Sequence, residues 1–124
     1  MILVDSSGWL EFFTDGSLAS TYARYLKNLR EVITPTIVLY EVYKVIKRER
    51  SEEEALTAVA QVGKTRLISL TDTVALTAAD VSLTYQLAMA DAIVYATALT
   101  ERAKLITSDA DFVSFPGVVY VKKP

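Results

Sequence analysis

The chain of 124 residues contains no cysteine and no histidine. Without cysteine there are no disulfides and no thiolate chemistry. Without histidine the commonest general base is gone, and with it the Ser-His-Asp kind of triad and the ordinary His/Cys zinc site. Any catalysis has to come from carboxylates, hydroxyls or amines. No apolar run reaches the roughly 18 residues that a membrane-spanning helix needs, and no basic region precedes an apolar leader at Met1, so the expected location is the cytoplasm. Positive charge is not in excess either. Lys and Arg number 13 against 15 Asp and Glu, a net charge of −2, so binding to nucleic acid has to rest on a local basic patch.

A 52% hydrophobic share makes the chain globular. Its length suits a single domain, residues 1–124, that buries roughly two thirds of its unfolded surface unaided. Repeats, low-complexity tracts and linkers are absent. Short apolar runs predict strands over residues 1–5, 31–34, 66–70, 104–107 and 118–121. Between them, helical patterns run from Ser6 to the Asp15-Gly16 stop and over residues 17–30, 35–50, 51–62, 72–85 and 87–99, with a short turn over 109–115. Strands alternating with helices indicate a three-layer α/β/α domain with a central, mainly parallel sheet.

The stretch over residues 87–99 is the most informative. Its one charge, Asp91, shares a helical face with Leu87, Ala88, Val94, Tyr95 and Ala98. An ionised carboxylate on an apolar face costs several kcal/mol or more unless a partner offsets it, and no Lys or Arg lies within one turn. Either Asp91 is a core residue satisfied by backbone or a hydroxyl such as Thr97, or it is a metal ligand facing a pocket. Three further acids stand out. Asp5 and Asp109 directly follow predicted parallel strands, at the edge where α/β folds build sites. Glu41 lies among Ile37, Val38, Val42 and Val45. Carboxylates gathered without His or Cys suit hard cations such as Mg²⁺ or Mn²⁺. A cation of that kind acidifies bound water and neutralises phosphate charge, the chemistry of phosphodiester hydrolysis. Two other readings compete: a phosphotransferase with Asp5 as nucleophile, against which Asp5-Ser6-Ser7 lacks a second acid two residues on, and a binding module that has lost its chemistry, against which all four acids are intact.

The segments Ile2-Leu3-Val4-Asp5-Ser6-Ser7, Thr34-Pro35-Thr36-Ile37-Val38-Leu39-Tyr40-Glu41-Val42, the run from Leu87 to Ala98 around Asp91, and Leu105-Ile106-Thr107-Ser108-Asp109-Ala110-Asp111-Phe112 resemble the four signature segments of PIN domains. The length and the start at Met1 resemble the stand-alone VapC-type toxins of toxin–antitoxin pairs. The resemblance implies a Mg²⁺- or Mn²⁺-dependent endoribonuclease, with a solitary RNA-processing nuclease as the alternative. It implies catalytic and metal-binding roles for Asp5, Glu41, Asp91 and Asp109, with Thr107 and Ser6 supporting them. Asp111 matches a further acid that either binds metal or caps the short helical turn. Ser108 stands where many relatives have Arg or Asn, so no RNA contact is carried over to it. The implied partners are RNA, a cognate antitoxin and a second copy of the chain.

Lys44, Lys47, Arg48 and Arg50 follow Glu41, and Arg24, Lys27 and Arg30 decorate the helix before it. They form either a solvated face or a phosphate track, for which Lys44, Lys47 and Arg48 are the candidates. Tyr40, Tyr43 and Tyr95 either stack bases or belong to core and interface. Trp9, Phe12 and Phe13 exceed what one short helix buries alone, which predicts an exposed patch for the second copy or for an apolar antitoxin segment.

Overall fold

Five short strands form the centre of the computed structural model, which describes all residues from Met1 to Pro124: β1 (Ile2–Val4), β2 (Val32–Pro35), β3 (Arg66–Ile68), β4 (Lys104–Thr107) and β5 (Val118–Tyr120). Every neighbouring pair is parallel, in the order β3-β2-β1-β4-β5. Leu3, Val4, Val32, Ile33, Leu105 and Ile106 are all but completely buried, as expected of central strands covered on both faces. Six helices flank the sheet: α1 (Ser6–Phe13), α2 (Ala19–Tyr25), α3 (Thr36–Glu49), α4 (Glu52–Val62), α5 (Asp72–Tyr85) and α6 (Met89–Thr100). The architecture is the three-layer α/β/α arrangement, and its sheet is wholly rather than mainly parallel.

The chain runs outward from β1 to β2 and β3 on one side, and returns to place β4 and β5 on the other. The strand order therefore reverses at β1, and the crevice beyond the carboxyl ends of β1 and β4 is where such a sheet opens a site. The register Val4↔Ile106 sets the last residue of β1 beside the next-to-last residue of β4, so both strands end at the same edge.

Several local details differ from expectation. The helix predicted over residues 17–30 breaks after Tyr25, and a 3-10 turn, Leu29–Glu31, follows it. The Asn28 side chain accepts the Arg30 amide at 3.2 Å and so starts the new turn. Pro35 sits in the last position of β2, beside Ile68, and caps α3 from outside. Its missing N–H costs nothing where the helix has yet to begin. Gln86 adopts a left-handed conformation that ends α5, so Leu87 and Ala88 precede α6 and do not share a helical face with Asp91. Trp9 is 1% exposed and stacks on Phe13 at 5.6 Å, with Phe12 and Phe13 half-buried beside it. The predicted exposed patch is thus core, because α1 is covered by α2 and α3. Exposed apolar side chains lie instead around β3, α5 and the start of α6: Leu67, Leu70, Leu76, Leu83 and Met89.

Candidate metal centre

Asp5 is the first residue beyond β1 and the N-cap of α1. Its Oδ1 accepts the Ser7 hydroxyl at 2.6 Å and, more weakly, the Gly8 amide at 3.4 Å. Its Oδ2 accepts the Thr107 hydroxyl, from the end of β4, at 2.6 Å. A hydroxyl has one hydrogen to give, so toward other groups both Ser7 and Thr107 act as acceptors. Ser108 donates its amide to Ser7 Oγ at 3.0 Å, and Asp109 donates its amide to Thr107 Oγ at 2.9 Å. Two successive amides of the loop after β4 are thereby registered on one carboxylate that is 4% exposed.

That loop presents the next two acids. Asp109 caps the 3-10 turn Ala110–Phe112, its Oδ1 accepting the Asp111 amide at 2.9 Å. The cap is therefore Asp109 and not Asp111, which lies inside the turn and gives its own amide to the cap. Asp91, in the first turn of α6, completes the group, and one carboxylate oxygen from each of Asp91, Asp109 and Asp111 lies within 4.8 Å of the others. Thr97 gives its hydroxyl to Ile93 O of its own helix at 2.7 Å; it does not reach Asp91. No protein group satisfies the Asp91 carboxylate.

Burial, above all, pushes the Asp91 carboxyl up to about 6, and the negative charges of Asp109, Asp111, Glu41 and Asp5 push in the same direction. Glu41, half-buried on α3, is also raised by burial; Asp5 and Asp109 add to the shift, while the Ser6 hydroxyl and Lys44 oppose it. Asp5 is raised by burial and by Asp109 against its bonds from Ser7, Thr107 and Gly8. Asp91 thus feels all four of the other acids. None of the five is in an ion pair: those of the chain, Lys47–Glu52, Arg48–Glu49 and Arg66–Glu101, lie elsewhere.

Oxygens around a Mg²⁺ or Mn²⁺ ion with bonds of about 2.1 Å lie about 3 to 4.2 Å apart. The trio of Asp91, Asp109 and Asp111 needs only a small side-chain adjustment to meet that spacing, and its all-oxygen donors match a hard cation. Of the acids expected from sequence, Asp91 and Asp109 are therefore in the tightest group. Asp5 and Glu41 stand just outside it, within reach of its field, and Asp111 is inside.

Beside the acids, Ser6, Leu10, Tyr40, Glu41, Lys44 and Arg48 help to line a groove of about 420 Å³. Lys44 lies 5.3 Å from the centroid of the Tyr40 ring. Lys47 does not join them: it is held by Tyr43 at 3.2 Å and Glu52 at 3.3 Å, toward α4. Tyr40 is exposed along the groove. Tyr95 is 2% exposed and donates its hydroxyl to Pro116 O at 2.7 Å, so it is a core residue and has no base to stack. Ser7, Ser108 and Tyr22, whose hydroxyls join the network around Asp5, were not singled out for that part by the sequence. The only cue was a small hydroxyl residue soon after each of β1 and β4.

The PIN domain family model matches residues 2–118. No curated protein sequence matches the chain. Among solved structures, a toxin–antitoxin complex from Klebsiella pneumoniae is similar at a TM-score of 0.81 and 25% identity, over 96% of each chain. VapC20 of Mycobacterium tuberculosis, a sarcin-ricin loop cleaving toxin, is similar at a TM-score of 0.80 and 21% identity, over 98% of each chain. VapBC2 from Rickettsia felis, bound to a DNA fragment from its promoter, follows the same fold at a TM-score of 0.78 and 14% identity, over 98% of each chain.

Proposed function

The chain belongs to the PIN domain family, and on that footing we propose that it is a metal-dependent endoribonuclease serving as the toxin of a toxin–antitoxin pair. The observation that carries this reading is the gathering of Asp91, Asp109 and Asp111 at the carboxyl edge of the sheet, beside Asp5 and Glu41, with none of them in an ion pair. The toxin–antitoxin complex and the RNA-cleaving toxin among the similar structures support it.

Mg²⁺ or Mn²⁺ would be held by Asp91, Asp109 and Asp111, with Asp5 and Glu41 acting on it directly or through water. The ion supplies an acidified water and neutralises charge on the phosphate. The protein supplies the rest. Asp5, fixed through both oxygens, keeps the ends of β1 and β4 in register, and Thr107 and Ser7 hand that register to the loop carrying Asp109. Lys44 and Arg48 flank the groove and attract the RNA backbone, which the acids alone would repel. In a chain without histidine, proton acceptance near neutral pH falls to a carboxylate, and Glu41 is suited to it by burial and by like-charged neighbours. Asp5 is a poor nucleophile for phosphotransfer, because it is 4% exposed and both its oxygens accept short hydrogen bonds.

Partners on this reading are RNA, an antitoxin and a second copy of the chain, in the cytoplasm. Incubating the purified protein with labelled RNA in Mg²⁺ or Mn²⁺, with and without EDTA, is the test. Cleavage abolished by the chelator is expected, and undiminished cleavage in EDTA refutes the metal dependence. A short neighbouring reading frame encoding a DNA-binding start and an apolar end would mark the antitoxin.

A further inference from the structure

The phenol of Tyr22 is the one aromatic hydroxyl that reaches the loop of acids. Tyr22 belongs to α2, is fully buried, and packs its ring against Gly8 so closely that a Cβ there would collide with it. Its hydroxyl lies 2.6 Å from Ser108 Oγ, joining residues 86 positions apart. A buried phenol needs a partner, and any carbonyl of the surrounding core would serve. Here the partner is the residue between Thr107 and Asp109.

Ser108 is consequently held twice, by its amide on Ser7 Oγ at 3.0 Å and by its hydroxyl on Tyr22 at 2.6 Å. Ser7 passes the connection on to Asp5 Oδ1 at 2.6 Å. Resting on the proposed metal-dependent activity, we propose that Tyr22 is a positioning residue for the metal centre: through Ser108 it clamps the loop so that carboxylate oxygens of Asp109 and Asp111 stay within 4.8 Å of one of Asp91. Tyr22 touches none of these three acids. Its action runs through the backbone of the loop, where displacements of about 1 Å are enough to spoil a coordination site. Ser108 faces inward in this arrangement, and its position in the motif serves the loop rather than the RNA.

Mn²⁺ titration calorimetry on the metal-free chain, with Tyr22→Phe, Ser108→Ala, the double variant and Ser108→Thr, tests the clamp. Partners one step behind a metal ligand are worth about 10- to 100-fold in affinity. Each single removal of a hydroxyl is expected to weaken Mn²⁺ binding by about 10-fold. The double variant should be no weaker than either single one, since both break the same bond, and Ser108→Thr should keep the parent's affinity. A merely structural tyrosine lowers the melting temperature and leaves Mn²⁺ affinity alone, so unchanged affinity in the single variants, or additive losses in the double, overturns the clamp. Amide hydrogen exchange over residues 108–112 in the metal-free proteins gives the second readout: faster exchange in Tyr22→Phe, with β1 unchanged, is expected, and equal exchange refutes the proposal. A parent chain that binds no Mn²⁺ refutes the metal reading instead, and the exchange measurement still decides the clamp.

Discussion

The Thr107 hydroxyl donates to Asp5 Oδ2 at 2.6 Å across 102 positions of sequence, while accepting the Asp109 amide at 2.9 Å. One side chain thus ties the acid of β1 to the acid beyond β4. Replacing Thr107 with Val keeps the shape and removes both bonds. The expected cost is about 1 to 3 kcal/mol of stability, since buried groups are left unpaired, together with about 10- to 100-fold weaker Mn²⁺ binding and RNA cleavage. Urea unfolding and calorimetry measure the two effects, and a variant with parental values in both would show that the bridge does neither.

Asp91 makes the metal-free protein sensitive to pH in an unusual direction. Its carboxyl is raised from an ordinary 3.8 to about 6, so between these values the folded chain holds a proton that the unfolded chain has released. Stability then falls as pH rises from about 4 to about 6, and the loss is complete above that. Asp5 and Glu41, also raised, add to the same trend. Melting curves at pH 4.5, 6 and 8 should show the decline, and added Mn²⁺ should reverse it by binding only the folded state.

Asp91→Asn removes a repelling charge and no hydrogen bond. It is expected to abolish cleavage while melting no lower than the metal-free parent at pH 8, and to lose the stabilisation by Mn²⁺. A parent indifferent to Mn²⁺ together with a clearly destabilised variant would return Asp91 to the role of a structural core acid.

Lys44 and Arg48 line the groove, whereas Lys47 is engaged by Glu52 and Tyr43. Ala at Lys44 or Arg48 should lower RNA affinity for all sequences and reduce the slope of log affinity against log salt by about 0.7 each. Ala at Lys47 should leave the slope unchanged. Equal slopes for all three variants, measured with an uncleavable RNA, would remove the groove from the RNA path.

At Gly8 a Cβ would collide with the Tyr22 ring and lie 2.7 Å from Val4 Cγ1. Gly8→Ala is expected to cost about 1 to 3 kcal/mol through overpacking, read as a lower urea midpoint. A parental midpoint would mean that α1 and α2 move apart freely.

The element order was legible because apolar runs alternate with amphipathic stretches, and because caps announce themselves: Ser51 accepts the Glu54 amide at 3.0 Å and Thr71 the Val74 amide at 3.2 Å. Asp5, Glu41, Asp91 and Asp109 were legible as acids at strand ends or on apolar faces. The setting of Asp91 was misread in detail, since a left-handed Gln86 that no periodicity reveals moves Leu87 and Ala88 off its helix. Trp9 looked exposed because burial depends on what covers α1, and α2 and α3 arrive from elsewhere in the chain. The inclusion of Asp111 turns on which of two neighbouring acids caps a single turn. The hydroxyl network of Ser7, Tyr22 and Ser108 was invisible for the same kind of reason: its members lie up to 101 positions apart, and no local pattern links them.

The return of the chain to β1 also fixes when the site exists during synthesis. A ribosome that has reached Thr100, the end of α6, has already delivered Asp5, Glu41 and Asp91, but neither β4, nor Thr107, nor the loop with Asp109 and Asp111. β1 still lacks its neighbour on that side, and Asp5 lacks the hydroxyl on Oδ2. The acidic cluster therefore cannot assemble until β4 and the loop that carries Asp109 and Asp111 have been synthesised.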